Sequence, residues 1–161
     1  MTRLLCLGPE DSGNRLVHRI LLTAGDVQDP EGDWVHYVWP VKLPSGGTMW
    51  ITGRSLPHGS EWPDIGQIID EFGPNKVLVV WRDRQYQVRA AHKTGHVGSV
   101  VEAEQERDRA EDLLAKVHGD VYHIIYELLV REPAVQVANL SRWLGVKLRV
   151  PETIYNADRQ Q

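Results

Sequence analysis

The sequence predicts an α/β domain whose parallel sheet is covered by helices on both faces, a three-layer α/β/α arrangement. Three observations carry that prediction. A short apolar run, RLLCLG (residues 3–8), is followed by a turn-rich loop and then by helical periodicity. KVLVVWR (residues 76–82) is a continuous, β-branched run that ends at once in charge, as a buried parallel strand does. Strand-like and helix-like segments then alternate, the order that builds a parallel sheet rather than a sandwich.

Taken in order, the run 3–8 ends at Gly8-Pro9 and reads as a buried strand, and PEDSGN is its loop. From Asn14, with Asn14 itself as N-cap, Leu16, Val17, Ile20 and Leu21 fall on one helical face, and Gly25 is the stop. Residues 26–33 (DVQDPEGD) are polar and turn-forming, a surface loop. WVHYVWPVKL alternates loosely, and TMWITGRS (residues 48–55) is a strand after the SGG turn. Ile65, Ile68, Ile69 and Phe72 have helical spacing and end at Gly73-Pro74. After the strand 76–82 a helix runs from about Arg84 to His92, and GHVGS separates it from a long charged helix over about 100–117. VYHIIYEL is a last short strand or the approach to a helix, and Pro133 and Gly145 bracket a final helix. Residues 1–150 thus form one domain and 151–161 a tail.

Composition narrows the function classes. The net charge of −4 argues against a surface given over to nucleic acid or membrane lipid. The single Cys6 excludes an internal disulfide and a multi-cysteine zinc site. No run approaches the roughly 20 apolar residues of a membrane span, and Pro9, Glu10 and Asp11 interrupt the first apolar run where a secretion signal would continue. A reducing, cytoplasmic setting is the expectation. Six tryptophans, among them Trp34, Trp39, Trp50 and Trp62, suit either a core or the wall of a cleft.

In a parallel sheet, ligands bind outside the carboxyl ends of the strands, so the loops after Gly8, after residues 48–55 and after Val80 define one candidate site. GPEDSGNR gathers backbone N–H groups and a helix N-terminus around one point, suited to a phosphate or sulfate. Ser12 adds a hydroxyl, Gly13 close backbone approach and Arg15 a charge. The alternative is a turn that merely opens a helix. It is not a Walker loop: Gly8 and Gly13 stand close to the required spacing, but Asn14 occupies the lysine position.

LCLGPEDSGNRLVHRIL resembles the sulfotransferase loop that holds the 5′-phosphosulfate of 3′-phosphoadenosine 5′-phosphosulfate. KVLVVWRDRQYQVRAA is similar to that family's second signature, a strand ending in Arg-Asp followed by a helix, and IIYELLVREPAVQVANLSRWLGV to its C-terminal pattern. The three segments occur in the family's order and cover most of the chain. The resemblance implies a P-loop-like sulfotransferase fold and sulfuryl transfer to a hydroxyl of a small molecule or glycan, with no metal. It implies that Ser12, Gly13, Asn14 and Arg15 cradle the phosphosulfate and that Arg82 contacts the 3′-phosphate, with Arg89 extending the positive patch. ITGRSLPHG resembles the segment that carries the family's base; Ser55 takes the histidine position and His58, just past Pro57, is the candidate base, with Arg54 beside the sulfuryl oxygens. Asp11 stands where the family's loop is basic, and Ala90 where it has a serine. Two alternatives therefore stay open: a nucleotide or phosphate-ester kinase on the same fold, and a non-catalytic nucleotide-binding or assembly module.

Among the remaining residues, Tyr126-Glu127 is expected to tie the late segment to the sheet. The charges of residues 102–116, Arg107 included, are expected on a solvated helix face. His92 and His96 have i,i+4 spacing but no carboxylate in register for a metal.

Overall fold

A computed structural model of the chain describes residues 1–25, 38–152 and 154. Strand β1 (Thr2–Pro9) is central, with Leu4, Leu5, Cys6 and Leu7 all buried, as a strand covered on both faces requires. It pairs in parallel with β3 (Thr48–Leu56) on one side and β4 (Lys76–Trp81) on the other. Strand β5 (Val121–Ile125) extends the parallel array beyond β4. At the opposite edge β2 (Trp39–Lys42) runs antiparallel to β3, giving the order β2-β3-β1-β4-β5. The sheet is therefore mostly, not wholly, parallel. Only residues 43–47 separate β2 from β3, too few for a crossover. Gly46 and Gly47, at φ 87 and 88, make the tight reversal.

Six α-helices are described: α1 (Asn14–Leu22), α2 (Ile65–Phe72), α3 (Arg84–Lys93), α4 (Val100–Leu114), α5 (Tyr126–Arg131) and α6 (Pro133–Leu144). On one face of the sheet Leu4, Cys6, Ile51, Leu78 and Val80 pack with Val17, Ile20 and Leu21 of α1, Leu129 of α5 and Leu140 of α6. On the other face Leu5, Leu7, Val77 and Val79 pack with Ile65 and Phe72 of α2 and Ala110 and Leu114 of α4. The side-chain alternation of each strand thus feeds two separate cores, where each fully buried leucine or valine contributes about 1.5–3 kcal/mol. Helix α3 sits outside this sandwich, its Val88 and Ala91 meeting Val97 of the following loop and Ala103 of α4.

The ends of the helices follow their residues. α2 starts on an Asp64 cap and stops at Gly73 (φ 58), and α6 starts at Pro133 and stops at Gly145 (φ 70). α1 ends at Leu22 and a 3-10 turn carries the chain to the expected stop at Gly25. α4 is shorter than its charge pattern predicts, ending at Leu114. The segment VYHIIYEL resolves into both readings at once, β5 and then α5. The expected loop 26–33, Trp34 and most of the tail 151–161 lie outside the described residues. No described helix is long and apolar enough to cross a membrane.

The order β3-β1-β4 has a functional consequence. The chain leaves β1 through α1 on one face and reaches β3, then leaves β3 through α2 on the other face and reaches β4 across β1. The carboxyl end of β1 is thus a topological switch point, where the connections diverge and leave a crevice.

Candidate functional site

The loop at that switch point is narrowly defined. The Ser12 N–H donates to the Pro9 carbonyl (3.1 Å), closing a turn, and Asp11 (φ 59) and Gly13 (φ 96) both have left-handed backbone. A Cβ on Gly13 would run into the Tyr126 ring, so this position excludes a side chain twice over. Gly8 is equally constrained. A Cβ there would lie 2.5 Å from Asn14 Oδ1, 2.6 Å from Ser12 Oγ and 2.7 Å from the Val80 carbonyl of β4.

Asn14 is not the N-cap. It is the first helical residue, and its amide turns back into the loop: Nδ2 donates to the Gly8 and Pro9 carbonyls and to Ser55 Oγ, each at 3.4 Å, while the Ser12 hydroxyl donates to Oδ1 (3.3 Å). The cap position belongs to Gly13, whose carbonyl accepts from the Val17 N–H (3.2 Å) but which has no side chain to cap with; no side chain caps α1 and its first turn carries no acid. By contrast α2, α3 and α4 begin on Asp64, Asp83 and Ser99, each accepting from a first-turn N–H. The positive end of α1 is left without a side-chain acceptor at the switch point.

Arg82 follows β4 directly and is 7% exposed. Its Nη1 donates to the Asp11 carbonyl (3.1 Å), its Nε lies 3.8 Å from Glu127 Oε1, and its guanidinium stacks over Tyr126 at 5.1 Å. Glu127 also accepts from the Asp83 N–H (3.1 Å). The Tyr126-Glu127 pair therefore does tie the late segment to the sheet, through the loop, Arg82 and the start of α3.

Arg107 corrects an expectation. It does pair with Glu111 four residues on (2.7 Å), but it is buried rather than solvated. Its Nη1 donates to the Arg82 carbonyl (3.2 Å), and it stacks over Trp81 at 5.2 Å. The signal was present in the sequence: Ala103, Arg107, Ala110 and Leu114 form the buried stripe of α4 at helical spacing.

The loop after β3 reaches the same edge. It follows a cis Leu56–Pro57 bond, and His58 and Glu61 exchange backbone hydrogen bonds of 2.9 and 3.1 Å. The next N–H, of Gly59, donates to Glu10 Oε1 (3.4 Å), and Gln87 Nε2 donates to the Glu10 carbonyl (2.9 Å). The Asp11 carboxylate is engaged on the opposite side, by the Thr94 hydroxyl (3.2 Å) and His96 Nδ1 (3.0 Å). Burial pushes the Glu10 carboxyl above its usual range, against the pull of His96; burial, with Glu102 and Glu10 nearby, does the same to Glu106.

Of the residues that sequence reasoning selects, Ser12, Gly13, Asn14 and Arg82 meet in one loop, and His58 stands across the same edge through the Gly59–Glu10 contact. Arg15 and Arg89 are exposed on α1 and α3. Arg54 stands off the edge. Its Nη1 turns back along β3 to Thr52 Oγ1 (3.1 Å) and the Gly53 carbonyl (2.6 Å), and burial lowers its pKa. Glu10, Gln87, His96 and Arg107 join the site without having been singled out for it. His96 lies beyond the end of α3, so it shares no helix face with His92. Among the described residues no group of three or more His, Cys, Asp and Glu side chains is placed to hold a metal. No protein-family model and no curated protein matches this chain.

Proposed function

We propose that this chain binds a phosphorylated nucleotide at the carboxyl edge of its sheet and transfers a sulfuryl group from 3′-phosphoadenosine 5′-phosphosulfate to a hydroxyl acceptor, a small molecule or a glycan. One observation carries the reading: an uncapped helix N-terminus and a buried arginine flank the same loop at the switch point of a doubly wound sheet. That is a place for an anion with a second anionic group nearby.

The residues present suit such a ligand. Ser12 and the first-turn N–H groups of α1 offer donors without charge, Arg15 adds an exposed cation, and Arg82 brings a fixed one from the β4 side. The two acids of the loop are each bound elsewhere, Asp11 to Thr94 and His96 and Glu10 to Gly59. In the transfer, the acceptor oxygen bonds to sulfur as the bond from sulfur to the phosphate oxygen breaks. His58 takes the acceptor proton, and adenosine 3′,5′-bisphosphate leaves. Asn14 at the lysine position weighs against the kinase reading. The density of carboxylates around His96 favours the binding-module reading, in which the nucleotide binds and no transfer follows.

Calorimetric titration with adenosine 3′,5′-bisphosphate tests the proposal. Micromolar binding, roughly −8 kcal/mol, that weakens at least about ten-fold in Arg15→Ala and is lost in Arg82→Ala supports it. No binding at about 1 mM ligand to the folded wild-type chain overturns it. Binding that survives with no transfer to any of a panel of phenols and sugars selects the module.

A further inference from the structure

A second surface lies on the helix pair outside the sandwich, α3 and α4. The chain reverses within residues 94–99. Arg84 at the start of α3 bonds Asp108 of α4 (2.6 Å), and Ala91 toward the other end of α3 packs with Ala103, so the two helices lie side by side and antiparallel. Their charges are segregated. α3 carries Arg84, Arg89 and Lys93 and no acid, whereas α4 carries six acids against Arg107 and Arg109.

Part of that charge is engaged within the chain. Arg84 also reaches Glu111 (3.7 Å), Arg107 holds Glu111, and Arg109 lies over the Trp62 ring at 4.2 Å. Arg89 and Lys93 on α3, and Glu104 and Asp112 on α4, are exposed and make no ion pair or hydrogen bond among the described residues. Helical spacing sets Arg89 and Lys93 opposite the buried Val88 and Ala91, and Val101 and Asp112 opposite the buried Ala103 and Ala110. Val101 is 64% exposed and Val100 44%, more apolar surface than a solvated helix end needs to show. The pair therefore presents a basic strip beside an acidic one, with exposed valines at one end.

We propose that this face binds a second copy of the chain, forming a two-fold dimer in which α3 of each copy lies on α4 of the other. Both halves of the match stand side by side, so a two-fold axis parallel to the helices brings each basic strip onto an acidic one. The size of the face sets the strength. The 15 residues of α4 span about 22 Å. With two helices packed roughly 8–10 Å apart, the face is about 20 Å wide and on the order of 450 Å² per copy. A standard interface takes about 800 Å² per partner, so the association is weak and exchanges with monomer. Its charges lie at the surface, so salt screens them. The dimer does not depend on the nucleotide edge or on sulfuryl transfer.

The test is sedimentation of the full chain at about 200 µM in low salt, where monomer and dimer are expected in exchange. In about 0.5 M NaCl the dimer is expected to weaken at least about ten-fold. Two double variants each reverse one strip: Arg89→Glu with Lys93→Glu on α3, and Glu104→Lys with Asp112→Lys on α4. Each alone is expected to sediment as monomer, because like charges then meet across the axis. An equal mixture of the two is expected to regain a dimer of wild-type strength, because every strip again meets its opposite. A wild-type chain that stays monomeric, a dimer indifferent to salt or to either reversal, or a mixture of folded variants that stays monomeric overturns the proposal. Far-UV circular dichroism establishes that the variants are folded, and the salt response of the wild-type chain decides the matter where one is not.

Discussion

Arg54 and Arg82 look alike in the sequence and unlike in the fold. Each stands near the carboxyl end of a strand, in TGRS and VWRD. Arg82 falls one residue past β4, where three elements converge on it: the loop after β1 through the Asp11 carbonyl, α5 through Tyr126 and Glu127, and α4 through Arg107 on its own carbonyl. Arg54 falls within β3, and the hydrogen bonds described for its guanidinium reach no farther than Thr52 and Gly53 of its own strand. The difference is one of connectivity. A charge held by distant segments makes the edge rigid.

That contrast predicts where damage is severe. The largest effect is expected from Gly13→Ala, which puts a side chain at φ 96 and against the Tyr126 ring. A loss of about 4 kcal/mol in urea denaturation is expected, and a loss below about 1 kcal/mol would mean that Tyr126 moves aside and the edge is soft.

Next comes the direct comparison. Arg82→Ala strands the Asp11 carbonyl and removes a cation beside Glu127, for a cost of about 3 kcal/mol. Arg54→Gln keeps a donor beside its own strand and is expected to cost less than about 1 kcal/mol. Equal costs in parallel denaturation curves break the comparison. Arg107→Met, which keeps the stem on Trp81 but frees the Arg82 carbonyl, is expected between them at about 1–2 kcal/mol.

The smallest effect sharpens the picture of the loop itself. Burial holds the Glu10 carboxyl above its usual range, so between the ordinary and the raised value the folded chain retains a proton that the unfolded chain has released. Its contribution is fully present below the ordinary carboxylate value and is lost as pH rises through the raised folded value. Glu10→Gln can still accept from Gly59 and carries no charge. The variant is expected to melt about 2 °C above wild type near pH 7, a shift that shrinks toward zero as pH falls through the carboxylate range. A shift that grows on acidification reverses the assigned sign.

Much of the architecture was legible along the chain because its signals are local. The β-branched run of β4, Pro133 and Gly145 around α6, and Gly73 after α2 state their roles within a few residues of themselves. The loop GPEDSGN was legible as a loop for the same reason. What it does with its residues was not. Asn14 has the chemistry of a cap, yet its partners include Ser55, which is 41 positions away, so the cap passes to Gly13. Arg107 has the chemistry of a solvated charge, yet the Arg82 carbonyl and the Trp81 ring draw it inward.

The sequence by itself determined the α/β class, most element boundaries and the loop that opens α1, because propensity, periodicity and glycine conformation act over short range. Only the tertiary structure decided that β2 runs antiparallel, that β1 is the switch point, and that Arg82 is locked at the edge while Arg54 turns back along the face of its strand. Those outcomes depend on which strands become neighbours and in what register, and a pairing energy between distant segments has no counterpart in either segment alone.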